Sequence, residues 1–301
     1  MGAVDAPAGA FWVPVPSATK RATYAGVLYR SDGSSVGVSV PAGAVDYPTG
    51  GPDDPSYDPS PSGTAAGLGL ENAIERACKE LLERDAAMRA WLEGAPLISV
   101  DLEAAEAIDA DLYRLTRICR QLGLSFAVAY LPSQHLRVRP IMAMIIDRAH
   151  GVASAGLALG RSDPASSARA LQEALQVRTV ITARTQEERT APPTVVKDDN
   201  ERARFWSSAV GVTAGLEWIS AVQPATTPPI QDGAEPRWAG LIGEYTVVDL
   251  TMRLPAEIQS MSWAVAKVFA PGLQPLRMSE EHSWSVLPDV DVRVMTPHPF
   301  I

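Results

Sequence analysis

In the stretch "GTAAGLGLENAIERACKELLERD", residues 63–85, Glu80 and Glu83 stand one helical turn apart and Arg76 precedes Glu80 by four residues. Positions i, i+4 and i+7 share one helical face, so these three side chains form a polar stripe. Ile74, Ala77, Leu81 and Met88 form an apolar stripe beside it. Two carboxylates one turn apart suit a hard cation such as Mg²⁺, which is held through oxygen and bridges to phosphate. The same pattern also describes an ordinary solvated face, because Arg-to-Glu pairs at this spacing decorate many soluble helices.

A second stretch bears on that choice. "GLALGRSDPASSARALQEALQVR", residues 156–178, pairs without gaps with residues 63–85: Gly67 falls on Gly160, Arg76 on Arg169, Glu80 on Glu173, Leu82 on Leu175 and Glu83 on Gln176. The chain reads as carrying a diverged internal repeat, each copy a glycine turn feeding a helix with the same polar face. A solvated face has no reason to recur at one Gly-to-Glu spacing, so the repeat favours binding. Arg178, with its paired guanidinium donors, suits phosphate.

The elements that must position these residues alternate in a mixed α and β pattern. Alternating apolar residues around "SDGSS" predict a hairpin over Ala22–Val40, preceded by "FWVPV". Residues 41–62, loaded with Pro, Gly, Asp and Ser, read as a long exposed loop. After the Glu80 helix come apolar "LISVDL", a helix through residues 105–123, and strand-like "LSFAVAYLP", "RPIMAMIID" and "GVASAGLAL". The helix carrying Glu173 is expected to start with Asp163 as cap and Pro164 in its first turn. A helix near Arg202–Val222 follows, with Asp198, Asp199 and Asn200 as capping residues. Strand-like "EYTVVDL" and "SWAVAKVFAP" and a Pro-containing tail over 288–301 complete the chain.

Composition narrows the classes. The 301 residues are 46% hydrophobic and 20% charged, enough for a genuine core, and the net charge of −9 argues against sequence-independent binding to nucleic acid or an anionic membrane. No apolar run reaches the roughly 20 residues of a membrane span, and no signal-peptide order opens the chain, which points to the cytoplasm. Cys78 and Cys119 lack metal-ligand spacing and read as buried thiols. His135, His150, His282 and His298 are scattered without ligand neighbours, which argues against zinc. The tryptophans Trp206, Trp218, Trp238, Trp263 and Trp284 read as packing residues.

Four blocks, in order, resemble the YcaO-domain family: "GTAAGLGLENAIERACKELLERDA" with Trp91 a few residues on, "LGRSDPASSARALQEALQVR", "FAPGLQPL" (269–276) and the terminal "PHPF". The resemblance implies an α+β fold of mixed sheets with packed helices and a single domain over 1–301. It also implies a peptide-modifying enzyme using ATP and Mg²⁺. Glu80, Glu83 and Glu173 are similar to the family's metal-holding acids. Arg76, Gln176 and Arg178 join them as the nucleotide-contacting set, Arg76 as the lesser candidate. The tail residues Pro297, Pro299 and Ile301 are implied to order the active site, although this tail ends in Phe300 and Ile301 where the familiar one ends in proline.

The implied chemistry is cyclodehydration. A backbone amide carbonyl is a poor electrophile, and attack on it by a Cys, Ser or Thr side chain leaves an oxygen that departs badly until it is phosphorylated. Positioning and electrostatics are then the protein's main contribution, and the implied product is a thiazoline or oxazoline, other branches of the family making thioamides or amidine rings. The family's other acidic "E..ER" helix has no counterpart before Gly63. The expectation is therefore a C-terminal portion of the domain: one half of a split enzyme whose partner chain supplies the remainder or recognises a leader peptide, with an inactive scaffold as the alternative. The substrate is expected to be a ribosomally made precursor peptide.

Overall fold

The computed structural model describes residues 23–47, 58, 60–133, 139–184, 192–226, 230 and 234–300. "FWVPV" and His135 lie outside the described residues. The chain divides into two compact units, Met1–Asp85 with Pro236–Val290, and Ala86–Glu235 with Asp291–Ile301. The fold is mixed α and β with two antiparallel sheets, as expected.

In the first unit, β1 (Thr23–Tyr29) and β2 (Ser35–Pro41) form the expected hairpin, Thr23 opposite Pro41. Gly33 takes the turn at φ +83, and the Asp32 carboxylate accepts from the Ser34 N–H at 2.8 Å. With β3 (Thr64–Leu68), β8 (Tyr245–Asp249) and β9 (Trp263–Phe269) the hairpin builds a five-stranded sheet in the order β2-β1-β8-β9-β3. Gly63 enters β3 at φ +74, where an added Cβ would lie 2.4 Å from the Val268 carbonyl oxygen, so only glycine fits. Helix α2 (Leu70–Glu93) follows, with Ala73, Ala77 and Leu81 buried.

The stretch expected to be an exposed loop departs from that reading. A short helix α1 (Ala42–Val45) buries Ala44 and Val45, and Asp58, Ser60 and Ser62 are buried as well. Hydrogen bonding explains it: the Asp58 carboxylate accepts from the N–H groups of Met278 and Ser279 at 3.1 and 3.0 Å. A Pro- and Ser-rich composition disfavours a long helix but prevents neither a single helical turn nor burial, provided the polar groups find partners.

In the second unit, β4 (Ile98–Ser99), β5 (Ser125–Tyr130), β6 (Ile141–Asp147) and β7 (Val152–Ala158) form a four-stranded sheet in chain order. Every residue of β6 and β7 is buried, because helices cover both faces. On one face Ser154 donates to the Ala174 carbonyl of α5 (Asp163–Thr182) at 2.9 Å. On the other, Gly215 approaches Ile146 so closely that a Cβ there would lie 2.5 Å from its Cδ1.

Two helices expected to be continuous are each divided by a cap. The stretch 105–123 takes in the end of α3 (Leu102–Glu106) and all of α4 (Ala110–Gln121), the latter opened by Asp109, which accepts from the Leu112 N–H at 2.8 Å. Farther on, α6 (Asp199–Trp206) opens on Asp198, as the sequence implies, and α7 (Ala209–Ala221) opens on Ser208. A short helix α8 (Ala256–Ser260) precedes β9. The cap of α5 is Ser162 rather than Asp163. The Asp163 carboxylate is instead taken by Tyr130 Oη at 3.0 Å, the Ile230 N–H at 2.7 Å and Arg139 at 3.0 Å.

The gapless pairing of 63–85 with 156–178 matches the helix starts, Leu70 with Asp163, but not the strands. β3 ends one residue before Gly69, whereas Leu159–Ser162 separate β7 from α5. Gly67 therefore lies within a strand and Gly160 in the irregular link between β7 and α5.

Candidate active site

The polar stripe of α2 lies on the first unit's part of that helix. Arg76 is exposed, while Glu80 and Glu83 are half-buried. Glu80 pairs with Arg84 at 2.8 Å, and Arg84 also donates to Ser62 Oγ at 3.0 Å. The Ser62 hydroxyl in turn accepts from Ser60 Oγ at 2.8 Å. Beneath this chain lies Lys267, wholly buried on β9, whose Nζ donates to the carbonyls of Ser60 and Ser62 at 2.5 and 2.8 Å. Burial pushes the Lys267 ammonium down to about 7; Glu80 works against the shift and Arg84 reinforces it.

One turn earlier, Glu75 serves the fold. Its carboxylate accepts from the Trp238 N–H at 2.6 Å, and Arg237 binds Glu71 at 2.6 Å. Lys79 lies over the Trp238 ring at 5.1 Å. Cys78, beneath, is a free buried thiol pushed up to about 12 by burial and by Glu75; Cys119, in the second unit, is pushed up to about 11 by burial. Both are inert core residues, as the sequence implies.

The second unit places the other candidates along α5. Glu173 Oε2 accepts from the Leu157 N–H of the edge strand β7 at 2.9 Å, and Gln176 is exposed. Arg178 donates through Nε and Nη2 to the buried Asp147 carboxylate, the Nε bond measuring 2.8 Å, and His150 Nδ1 meets the same oxygen at 2.8 Å. Burial opposes ionisation of Asp147, but Arg178 and His150 outweigh it and hold its carboxyl below the usual carboxylate range. Arg169 reaches the Leu159 carbonyl at 2.9 Å. Pro297 is half-buried and Pro299 buried, while Ile301 lies outside the described residues.

Among the described residues, no group of three or more His, Cys, Asp or Glu side chains is disposed to hold a metal ion. Mg²⁺ asks for less than that, since it keeps several waters and binds through one or two carboxylates together with nucleotide phosphates. Within the first unit the donor set of Glu80 and Glu83, two oxygen ligands on one half-buried face, fits that requirement.

The model of the YcaO family, described as YcaO cyclodehydratase, ATP- and Mg²⁺-binding, matches residues 27–274. The chain belongs to the YcaO family. Solved structures agree at the level of fold. The YcaO protein of Methanopyrus kandleri, bound with AMPPCP and Mg²⁺, is 19% identical with a TM-score of 0.59 over 89% of this chain and 70% of that one. The E. coli microcin synthetase McbBCD complex with pro-MccB17 bound gives 13%, 0.63, 93% and 73%. A heterocyclase in complex with substrate and cofactor gives 17% and 0.60 over 91% of this chain, which spans 38% of that protein's length. Comparison with curated protein sequences gave no match.

Residue spacing alone pointed to Glu80, Glu83 and Glu173. It gave no reason to single out Lys267, Arg84 or Asp147. Lys267 had left a signal, being the lone charge in the otherwise apolar strand "WAVAKVF".

Proposed function

We propose that this YcaO chain binds ATP and Mg²⁺ and activates backbone amides of a ribosomally made precursor peptide. The reaction we assign is cyclodehydration of Cys, Ser or Thr to thiazoline or oxazoline, carried out in the cytoplasm. The observation that carries the reading is the Glu80/Glu83 carboxylate pair on a half-buried helical face inside the family-matched stretch. When bound, the nucleotide and its cation supply the phosphoryl group and the charge neutralisation that turn an amide oxygen into a leaving group.

The chain's own residues supply position. In the first unit Glu80 and Glu83 would hold the cation and Arg76 would face phosphate; in the second unit Glu173, Gln176 and Arg178 are assigned to the nucleotide and its cation, and Pro297, Pro299 and Ile301 to ordering the peptide. Arg84 keeps the Glu80 carboxylate in place through their 2.8 Å pair. Action with a partner chain is supported by the E. coli neighbour, which is a complex. The role we assign to the partner is recognition of the leader peptide.

A second reading, an inactive YcaO-like scaffold in a peptide-modifying complex, is favoured by one feature. Glu80, Glu173 and Arg178 each already bond to a group of the protein itself. Glu80→Gln and Glu83→Gln separate the two. With the partner proteins present, each variant is expected to lose peptide modification at least a hundredfold while circular dichroism is unchanged. Wild-type modification rates in both variants overturn the site assignment.

A further inference from the structure

A wholly buried arginine and two indole rings hold the C-terminal segment within the second unit. Arg202, on α6, donates from Nη1 to the His298 carbonyl at 3.2 Å. Trp206, one turn farther along the same helix, gives its Nε1–H to the same oxygen at 3.0 Å. Trp91 gives its Nε1–H to the Thr296 carbonyl at 2.8 Å, and its ring meets that of Trp206 edge-on with centroids 5.7 Å apart. Upstream, the N–H groups of Arg293 and Val294 both reach the Leu92 carbonyl, at 2.8 and 3.0 Å. Phe300 is buried, its ring stacked on His298 at 5.5 Å.

The types of these residues bear on what they are for. Taking a guanidinium out of water costs several kcal/mol, and a helix needing only apolar packing is served by leucine. What a buried arginine and an indole N–H add is convergence of donors on a backbone oxygen, a mode of recognition that ignores the side chain. The segment is matched to it. Pro297 and Pro299 have no N–H to bury and a φ fixed near −65°, so "TPHPF" arrives pre-extended with its carbonyls as its main backbone handles.

We propose that Arg202 and Trp206 are positioning residues, with Trp91 as a second anchor, that seat the Thr296–Phe300 segment and so fix the tail for the reaction. The inference rests on the cyclodehydratase reading, in which the tail orders the peptide end of the site.

The test compares Arg202→Met, Arg202→Lys and Trp206→Phe with wild type in the full chain, using two readouts. Amide hydrogen exchange of residues 293–300, read by mass spectrometry, measures how often the segment leaves its seat. Mg-ATP turnover in the complex co-purified with the proteins encoded beside it gives kcat and KM. Exchange is expected to quicken at least tenfold in Arg202→Met and Trp206→Phe and less in Arg202→Lys. Turnover is expected to fall at least tenfold in kcat with KM for nucleotide within twofold. Trp206→Phe deletes one N–H from a ring that otherwise stays, so it serves if Arg202→Met fails to fold. Wild-type exchange rates in both variants overturn the seat, and a freed tail with unchanged kcat overturns its positioning role. Exchange is read whether or not nucleotide is turned over, so a wild type that binds no Mg-nucleotide refutes the cyclodehydratase reading and leaves the seat standing or falling on its own.

Discussion

At the scale of the residue, Lys267 shows how the first unit positions Glu80. Its amine satisfies two carbonyls of the Ser60–Ser62 segment, Ser62 receives Arg84, and Arg84 holds Glu80. The ammonium is pushed down to about 7, mainly by burial, against an ordinary value of 10.5. An unfolded chain therefore binds this proton more tightly than the folded one between those two values. Stability from Lys267 is fully present above the unfolded value and lost as pH falls toward 7. One proton corresponds to a slope of at most about 1.4 kcal/mol per pH unit. Urea denaturation from pH 6.5 to 10 is expected to show wild-type stability rising relative to Lys267→Met. Parallel curves would mean that the buried amine does not titrate in this window. The sequence offered the two glutamates by their spacing, whereas the chain of contacts behind Glu80 runs through residues more than 180 positions apart, which no spacing within one helix can encode.

At the scale of the element, the second unit depends on how closely α5 lies on β7. An added Cβ at Gly156 would stand 2.2 Å from the Ala170 carbonyl oxygen and 2.5 Å from the Ala174 nitrogen, both fixed backbone. Gly156→Ala is expected to destabilise the protein by about 3 kcal/mol, at the upper end of overpacking costs because backbone cannot swing aside. Thermal unfolding measures it, and a shift within error of zero would show that α5 can lift. Strands were the more legible elements here: the hairpin, β5, β6, β7, β8 and β9 follow from alternation or from short continuous apolar runs. The breaks at Asp109 and Ser208 were less so, since apolar periodicity passes through both and only the caps distinguish one helix from two. Ser162 was hidden for a similar reason. Asp163 beside it is an equally good capping type, and only the distant Tyr130, Arg139 and Ile230 draw it away.

At the scale of the whole molecule, family membership rests on residues 27–274 and the fold on solved structures of 13–19% identity. What the short blocks "ELLERDA", "LQEALQVR" and "FAPGLQPL" carried was the family; the division into two compact units was not legible, because each unit is assembled from two separate stretches of the chain and α2 runs through the boundary. The central claim is that this chain handles a magnesium nucleotide. Calorimetry with a non-hydrolysable ATP analogue and Mg²⁺, on the chain alone and then on the complex co-purified with its partner proteins, tests it most directly. The account predicts Mg²⁺-dependent binding at micromolar affinity or tighter in the complex, weakened at least tenfold by Glu80→Gln. A stable complex that binds no nucleotide at any Mg²⁺ concentration would contradict it and leave the scaffold reading in its place.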